Sequence, residues 1–326
     1  MGARASKRGR RRGGLAAGQR RFVLGVSIPT IIYSGGLSLL SIVWAFALMF
    51  FEYSPGRSGG PILGLGGNNP FVGLAHFRNM IEGVTLESRL FRTSLGNTLI
   101  FAFAVLPLNL LITLPLAALI ESVDERFKSM FRAIYFLPVV TTSVGVALMW
   151  GHLYHPQQGL LNAAIRGLGG SPVYWLNDPR LKFLGVSVAM WSVIVAYLWQ
   201  DYGYNMVIFV AALQGIPQDL KEAATIDGAN AWQVFSRVTV PLLRPTLLFV
   251  CVMTMLSSFQ VFDVVQVMTN DGNPANQTRV LVLDIYLNAF RYQRMGWAAA
   301  AAFVLLLAVV IVTVVQMRVL RTEWEY

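Results

Sequence analysis

The sequence predicts an all-α integral membrane protein with six transmembrane helices and both termini on the cytoplasmic side. Three observations carry this. The 326-residue chain is 55% hydrophobic and only 13% charged, about half the charge of an ordinary soluble domain. Six apolar stretches are each long enough to cross about 30 Å of hydrocarbon, which takes about 20 helical residues. They lack the polar–apolar alternation of barrel strands, and a helix satisfies its own backbone polar groups in lipid.

Residues 1–21 hold the run RASKRGRRRGGLAAGQRR and supply much of the net charge of +10. A basic balance invites nucleic acid as a partner, but no polar domain with interleaved exposed aromatics accompanies it. The run reads instead as a cytoplasmic anchor beside anionic lipid. The first span is placed at 22–51. Its apolar run is about twice the length of a signal-peptide core and no clear cleavage site follows, so it is a retained helix. The loop to residue 92 contains SPGRSGGPILGLGGNNP, an irregular solvent-facing connection. Further spans are expected at 93–120, 131–154, 183–213, 242–268 and 297–319, and residues 320–326 form a cytoplasmic C-terminus.

With the N-terminus inside, roughly sixteen Lys and Arg residues fall on the cytoplasmic side and ten outside, on shorter inner segments. The inner loops are then ESVDERFKSMFR and the polar insert at 215–241; the outer ones are 52–92, 155–182 and 269–296. Pro107, Pro115, Pro138, Gly145 and Gly203 lie inside spans. Proline removes a helical hydrogen bond, and such points serve either a moving pathway or simple packing.

Several chemistries are excluded. Cys251 is the only cysteine, so there is no intramolecular disulfide or multi-cysteine metal site, and a small buried residue is expected there. His152 and His155 are three apart with no third ligand nearby, so no metal site is expected. No G-x-x-x-x-G-K-[ST] loop occurs; GLGG at 64–67 and at 167–170 are outer turns. With no His/Asp/Glu cluster or Ser–His pair at membrane depth, no catalytic residues are assigned.

The insert is legible as a physical object. In GIPQDLKEAATIDGANAW, Pro217 suits a first helical turn, and Asp219 and Glu222 favour the positive end of the helix dipole. Gly228 sits where a C′ residue with positive φ stops a helix, and Asn230 can cap a second short helix, AWQVFSRV. Pro241 and Pro245 set the entry to the next span. Ile226 and Ala229 give the piece a partly apolar surface. It either docks into a partner's groove or lies on its own bundle.

Ionisable residues at membrane depth are functional candidates by default, and Asp201 and Asp263 stand out. AYLWQDYGYNM places Tyr197, Gln200, Asp201 and Tyr204 at helical spacing on one face of the fourth span. TMLSSFQVF does the same for Thr254, Ser257, Ser258 and Val261 on the fifth. Such side chains suit sugar hydroxyls and ring faces, and they equally suit an interfacial belt or helix-packing contacts. A secondary transporter of small solutes without an ATPase partner would also explain the spans, but no inverted repeat with broken helices is visible.

The spacing of Glu222-Ala223-Ala224, Gly228 three residues on, then Val238-Thr239-Val240-Pro241 after nine more resembles the EAA signature of binding-protein-dependent ABC importer membrane subunits. Both aliphatic positions are valine here. FRAIYFLPVV, GLLNAAIRGLGGSPVYWLNDP, FDVVQVMTNDGNP and LDIYLNAFRYQRMGWAAAAAF extend the resemblance from about residue 93 onward. ALQGIPQDL before the signature and IDGANAWQVFSRVTVPLLRP through it resemble the carbohydrate branch, near the maltose and glycerol-phosphate type. The resemblance implies a type I importer permease in the cell membrane, with 93–319 as its transmembrane domain. Its implied partners are a second permease, a dimer of ATP-binding subunits and an extracytoplasmic substrate-binding protein. ATP and Mg would be held by the partner ATPases, with no cofactor in this chain. Glu222, Ala223, Ala224, Asp227, Gly228 and Pro241 would couple to the ATPase. Tyr197, Gln200, Asp201, Tyr204, Thr254, Ser257, Ser258 and Val261 would line the pathway of a sugar or polyol.

Overall fold

The computed structural model of the chain describes residues 17–57, 59–62 and 64–320. Most of the basic tail at 1–21, and 321–326 of the C-terminus, lie outside the described residues. α1 (Ala17–Thr30), a π turn (Ile31–Gly35) and α2 (Gly36–Leu48) form one apolar rod. The widened turn follows Pro29, which has no N–H and crowds the preceding carbonyl. A short antiparallel hairpin, β1 (Gly59–Ile62) and β2 (Leu65–Gly67), and α3 (Ala75–Glu82) fill the connection to the next long helix.

α4 (Leu86–Ser122) opens on Thr85, whose hydroxyl accepts from the Ser88 N–H. It runs through Pro107 and Pro115 without a break. The span expected at 131–154 is divided: α5 (Glu125–Val140) and α6 (Ser143–Leu153) meet at 95°. Part of the reason is local. Pro138 weakens the last turn of α5, Thr141 and Thr142 are extended, and the Thr142 hydroxyl starts a new helix by accepting from the Gly145 N–H. α7 (Leu160–Gly167) and the two-residue strands β3 (Lys182–Phe183) and β4 (Val186–Ser187) lead to α8 (Val188–Gln214).

The insert forms α9 (Gln218–Ile226), α10 (Ala231–Val234), a π turn (Phe235–Thr239) and α11 (Val240–Leu242). The axis then bends by 70° into α12 (Arg244–Phe259), at a step bracketed by Pro241 and Pro245. α12 is shorter than the span expected at 242–268: the helix stops at Phe259, and α13 (Asp263–Thr269) starts afresh. Asp263 is therefore an exposed first-turn acid at that start, where the helix dipole favours it. α14 (Leu281–Tyr286), a π turn (Leu287–Arg291) and α15 (Met295–Val319) complete the chain.

Among the described residues, three helices are long and apolar enough to cross a membrane: Arg21–Leu48, Leu86–Ser122 and Met295–Val319. Counting each bent pair as one span makes five. α8 is 27 residues long but is not among them. Its centre, WQDYGYN at 199–205, is polar, so the fourth expected span, 183–213, differs in kind from the others.

α8 is the axis of the bundle. Phe101 and Val105 of α4 join Met190, Val193 and Ile194 of α8 in one buried cluster. Ala117 and Ile120 join Met206, Phe209 and Val210 in another. At the end away from the insert, Asn97 of α4 donates to the carbonyls of Asn276 and Arg279, both at 3.0 Å. Arg279 in turn holds the fully buried Asp284 at 2.7 Å. Burial pushes the Asp284 carboxyl up, against the pull of that guanidinium.

Gly203 permits a close approach of α8 to α5. A Cβ there would fall on the Tyr135 carbonyl oxygen, with Val139 Cγ2 at 3.0 Å. Gly203→Ala must therefore push α5 away from α8 at a cost of about 1–3 kcal/mol. Gly151, with nothing within 4 Å of the same position, accepts alanine without loss. Thermal unfolding of the detergent-solubilised protein should show a lower midpoint for G203A and none for G151A.

Candidate functional site

Two breaks in the helices converge on one place. The α5–α6 break contributes Ser143, and the α12–α13 break contributes Gln260, Val261, Phe262, Asp263 and Val264. With Tyr197 and Gln200 of α8 and Ser257 of α12 they line a hollow of about 270 Å³. The Gln200 amide donates to the Thr141 carbonyl at 2.9 Å and approaches Ser143 Oγ at 3.5 Å. It thereby satisfies a carbonyl that the break releases. Tyr197 packs edge-on against Phe101 at 5.2 Å. Non-helical backbone at membrane depth is tolerated where protein buries it or where it lines a cavity. Residues of both breaks line this hollow.

Of the eight pathway residues expected from the sequence, Tyr197, Gln200, Ser257 and Val261 meet in this hollow. Asp201 and Thr254 lie behind it, in a buried network that joins three helices. The Asn109 amide of α4 donates to Asp201 Oδ2 at 2.9 Å. Asn205 of α8 donates to Asn109 Oδ1 at 2.9 Å, to Asp201 Oδ2 at 3.2 Å and to Thr254 Oγ1 at 3.0 Å. Ser258 is fully buried, and its hydroxyl donates to the Thr254 carbonyl at 2.6 Å. Tyr204 shares the face of Tyr197 but lies two turns further along α8, 44% exposed and outside the hollow.

The network contains two residues that a search for ionisable groups passes over, Asn109 and Asn205. Their signal was present in the sequence as amides inside apolar spans, one of them four residues after Asp201. Ser143 and Gln260 were likewise missed, because the breaks that turn them inward are not visible in hydropathy.

The second site is the insert. α9 ends at Ile226 with Asp227 as its C-cap, and Gly228 follows with φ +86°. The Ala229 N–H returns to the Ala224 carbonyl and the Gly228 N–H to the Thr225 carbonyl, both at 3.0 Å. These two bonds make a Schellman closure. Asn230 then caps α10 reciprocally with Gln233, at 2.9 and 2.8 Å. Pro217 stands at the N-cap of α9, one residue before the first turn expected for it. No residue of α9 is buried. Glu222 and Ala223 are exposed and Ala224 half-buried, Ile226 is 87% exposed, and Trp232 of α10 is 71% exposed. Glu222 makes no ion pair or hydrogen bond among the described residues. Pro241 lies in α11, just before the bend.

The histidines serve the backbone. His152 Nδ1 lies 2.8 Å from the Leu148 carbonyl, and His155 Nδ1 accepts from the Gln157 and Gln158 N–H groups. Among the described residues, no group of three or more His, Cys, Asp or Glu side chains could hold a metal.

Comparison with known proteins adds the following. Residues 114–323 match the family described as "Binding-protein-dependent transport system inner membrane component". The osmoprotective compounds uptake permease protein GgtC of Synechocystis is 33% identical, over 90% of this chain and 97% of its own length. The lactose transport system permease protein LacF of Rhizobium radiobacter is also 33% identical, over 69% of this chain and 74% of its own length. The crystal structure of a bacterial alginate ABC transporter, in complex with an alginate pentasaccharide-bound periplasmic protein, contains a chain of the same fold. Its TM-score is 0.73 at 21% identity, covering 93% of this chain and 97% of that one.

The buried network makes its own prediction. Asn205→Leu removes the donor that three acceptors share, and a buried acceptor left unpaired costs about 1–3 kcal/mol. The thermal midpoint in detergent should fall. Because both side chains belong to one network, Asn109→Leu added to Asn205→Leu should cost less than the two single losses combined.

Proposed function

The chain belongs to the family of binding-protein-dependent transport system inner membrane components, and from that premise we propose how it works. It is a pathway-forming permease subunit of an ATP-driven importer that carries a sugar or related polyol. The observation that carries the coupling half of this reading is α9. It is a short helix, closed by caps and buried nowhere, with a bare glutamate and apolar side chains facing away from its own bundle. Burying one side chain such as Ile226 in a partner's cleft contributes about 1.5–3 kcal/mol. Glu222 is placed to pair with a basic residue of that partner, and Ala223 and Ala224 let the helix approach closely. Asp227, Gly228 and Pro241 fix the turn and the bend behind it.

The partner is a dimer of ATP-binding subunits, which hold ATP and Mg and whose closure moves α9. A second permease completes the pathway, and an extracytoplasmic substrate-binding protein delivers the cargo. In the cell membrane the chain crosses six times, with α8 as a span whose polar centre faces protein. Both termini and the insert are cytoplasmic, following the distribution of basic residues. The first 21 residues form a basic tail, 22–92 the first span with its outer loop, and 93–319 the importer's transmembrane domain, closed by a short cytoplasmic end.

For the cargo, the hollow between the two helix breaks is the pathway segment. Tyr197, Gln200, Ser257 and Val261 line it, with Asp201, Thr254 and Ser258 holding the helices behind it and Tyr204 further along the same face. Its hydroxyl, amide and aromatic groups suit a neutral polyhydroxyl solute. No lysine or arginine is among its lining residues, and the relatives include a lactose permease.

Two measurements test the proposal in proteoliposomes holding the assembled importer. Glu222→Ala and Gly228→Val should each lower solute uptake at least several-fold. The glycine variant acts through its positive φ, which costs a side-chain-bearing residue about 1–2 kcal/mol. Unchanged uptake and unchanged coupling to ATP hydrolysis in both would sink the docking role. Separately, Tyr197→Ala and Ser257→Ala should raise the solute concentration for half-maximal uptake while leaving ATP hydrolysis intact. An unaltered concentration dependence in both variants would place the cargo contacts elsewhere.

A further inference from the structure

The same docking element needs a mechanical connection to the spans, and the route is narrow. Between α9 and the bundle lies a second hollow of about 760 Å³, lined by Gln218, Lys221 and Thr225 on one side and Glu121 and Lys128 on the other. No side chain of α9 is buried, so α9 cannot push on α4 or α5 through a packed wall. Its motion must enter the bundle at its two ends. The C-terminal end leads through α10 and the π turn to α12. The N-terminal end leads back, across only Gly215-Ile216-Pro217, to Gln214, the last residue of α8.

At Gln214 three helices meet on one carboxylate. Glu121, near the end of α4, accepts from Gln214 at 3.2 Å and from Arg132 of α5 at 2.6 Å, both on Oε1. Its Oε2 accepts from Lys128 of α5 at 3.2 Å, and Lys128 also holds Glu125 at 2.6 Å. Lys128 is only 9% exposed and the Glu121 side chain 20%, while Gln214 and Glu125 stay exposed; the Glu121–Lys128 centre is shielded from solvent, where hydrogen bonds that share an acceptor act together. We propose that Glu121 is the joint that transmits displacement of α9 into the α4–α5 pair, with Gln214 as its contact on the moving side. This rests on the reading of α9 as the ATPase-docking element. Glu121 and Gln214 are positioning residues: they touch neither nucleotide nor cargo. Their chemistry fits the task. A rigid connection carries a displacement between two states, and a carboxylate shared by two cations and an amide resists rotation of any one helix end.

The experiment measures solute transported per ATP hydrolysed by the complete importer in proteoliposomes, for Glu121→Gln, Gln214→Leu, the double variant and Glu222→Ala. The expected result is a three- to tenfold fall in this ratio for each single variant at Glu121 and Gln214, with ATP hydrolysis retained. The double variant should be no worse than Glu121→Gln alone, because both changes open one joint. An unchanged ratio in the single variants, or losses that multiply in the double, overturns the proposal. If Glu121→Gln fails to assemble, Gln214→Leu decides alone, since Gln214 is exposed and loses one neutral donor. Glu222→Ala separates the two ideas. If it uncouples transport while Gln214→Leu does not, only the joint is wrong; if it has no effect, the docking reading itself has failed.

Discussion

In hydrocarbon a backbone carbonyl has no water to accept from, so every interruption of a spanning helix must be repaired by protein or open onto a polar space. The interruption at Thr141 and Thr142 meets both conditions. Gln200 reaches across from α8 to the Thr141 carbonyl, and the restarted helix brings Ser143 to the edge of the hollow. Much follows from that repair. It fixes the depth at which α5 lies against α8, which is the approach that Gly203 permits. It also places one polar side chain, Gln200, in the centre of α8, beside the Asp201 and Asn205 that serve the buried network. The break after Phe259 contributes Gln260 to Val264 to the same lining, so both irregular segments border one volume.

The insert obeys a different constraint. A nine-residue helix is too short to be stable by propensity alone in water, and no residue of α9 is fully buried against its own bundle. What holds it is the geometry of its ends: the Schellman closure at Gly228 and the reciprocal cap of Asn230 and Gln233. Local closure of this kind gives a stiff element whose outward surface remains uncommitted. A helix stabilised by packing on the bundle would have had to spend Ile226 and Trp232 to do so.

These two constraints explain what the sequence disclosed and what it concealed. The insert was legible nearly residue by residue, because caps and a positive-φ glycine are local chemistry: Gly228, Asn230 and the turn stand within a residue of where spacing puts them. The long rods around Pro107 and Pro115 were legible as apolar runs. The bends were not. Hydropathy registers 131–154 as one stretch, and nothing local distinguishes Pro138, which precedes a 95° break, from Pro107, which sits in an unbroken helix. The difference lies in what comes next and in who pairs with the freed carbonyl, and Gln200 is 59 positions from Thr141. The candidate pathway was therefore half legible. Helical spacing grouped Tyr197 with Gln200 and Ser257 with Val261, but it could not tell a side chain that faces the hollow from one spent in the Asn109–Asp201–Asn205–Thr254 network behind it.

That division of labour bears on what the hollow can handle. A group whose hydrogen bonds are already made by protein has little to offer a passing solute, because trading a protein partner for a solute partner gains almost nothing net. Asp201 Oδ2, which accepts from two amides, is such a group. Gln260, at the break after α12, lines the hollow and makes no side-chain hydrogen bond among the described residues. Gln200 gives its amide nitrogen to the backbone and keeps its carbonyl oxygen. Asp263 is the sole ionisable carboxylate on the lining, and it is held at a helix start. Such a surface offers uncommitted amide donors and acceptors, an aromatic edge and little net charge. Its amides and hydroxyls can exchange bonds with a solute's hydroxyl groups one at a time, and the one carboxylate on the lining, Asp263, stays exposed at its helix start, an arrangement that suits the neutral polyol proposed as cargo.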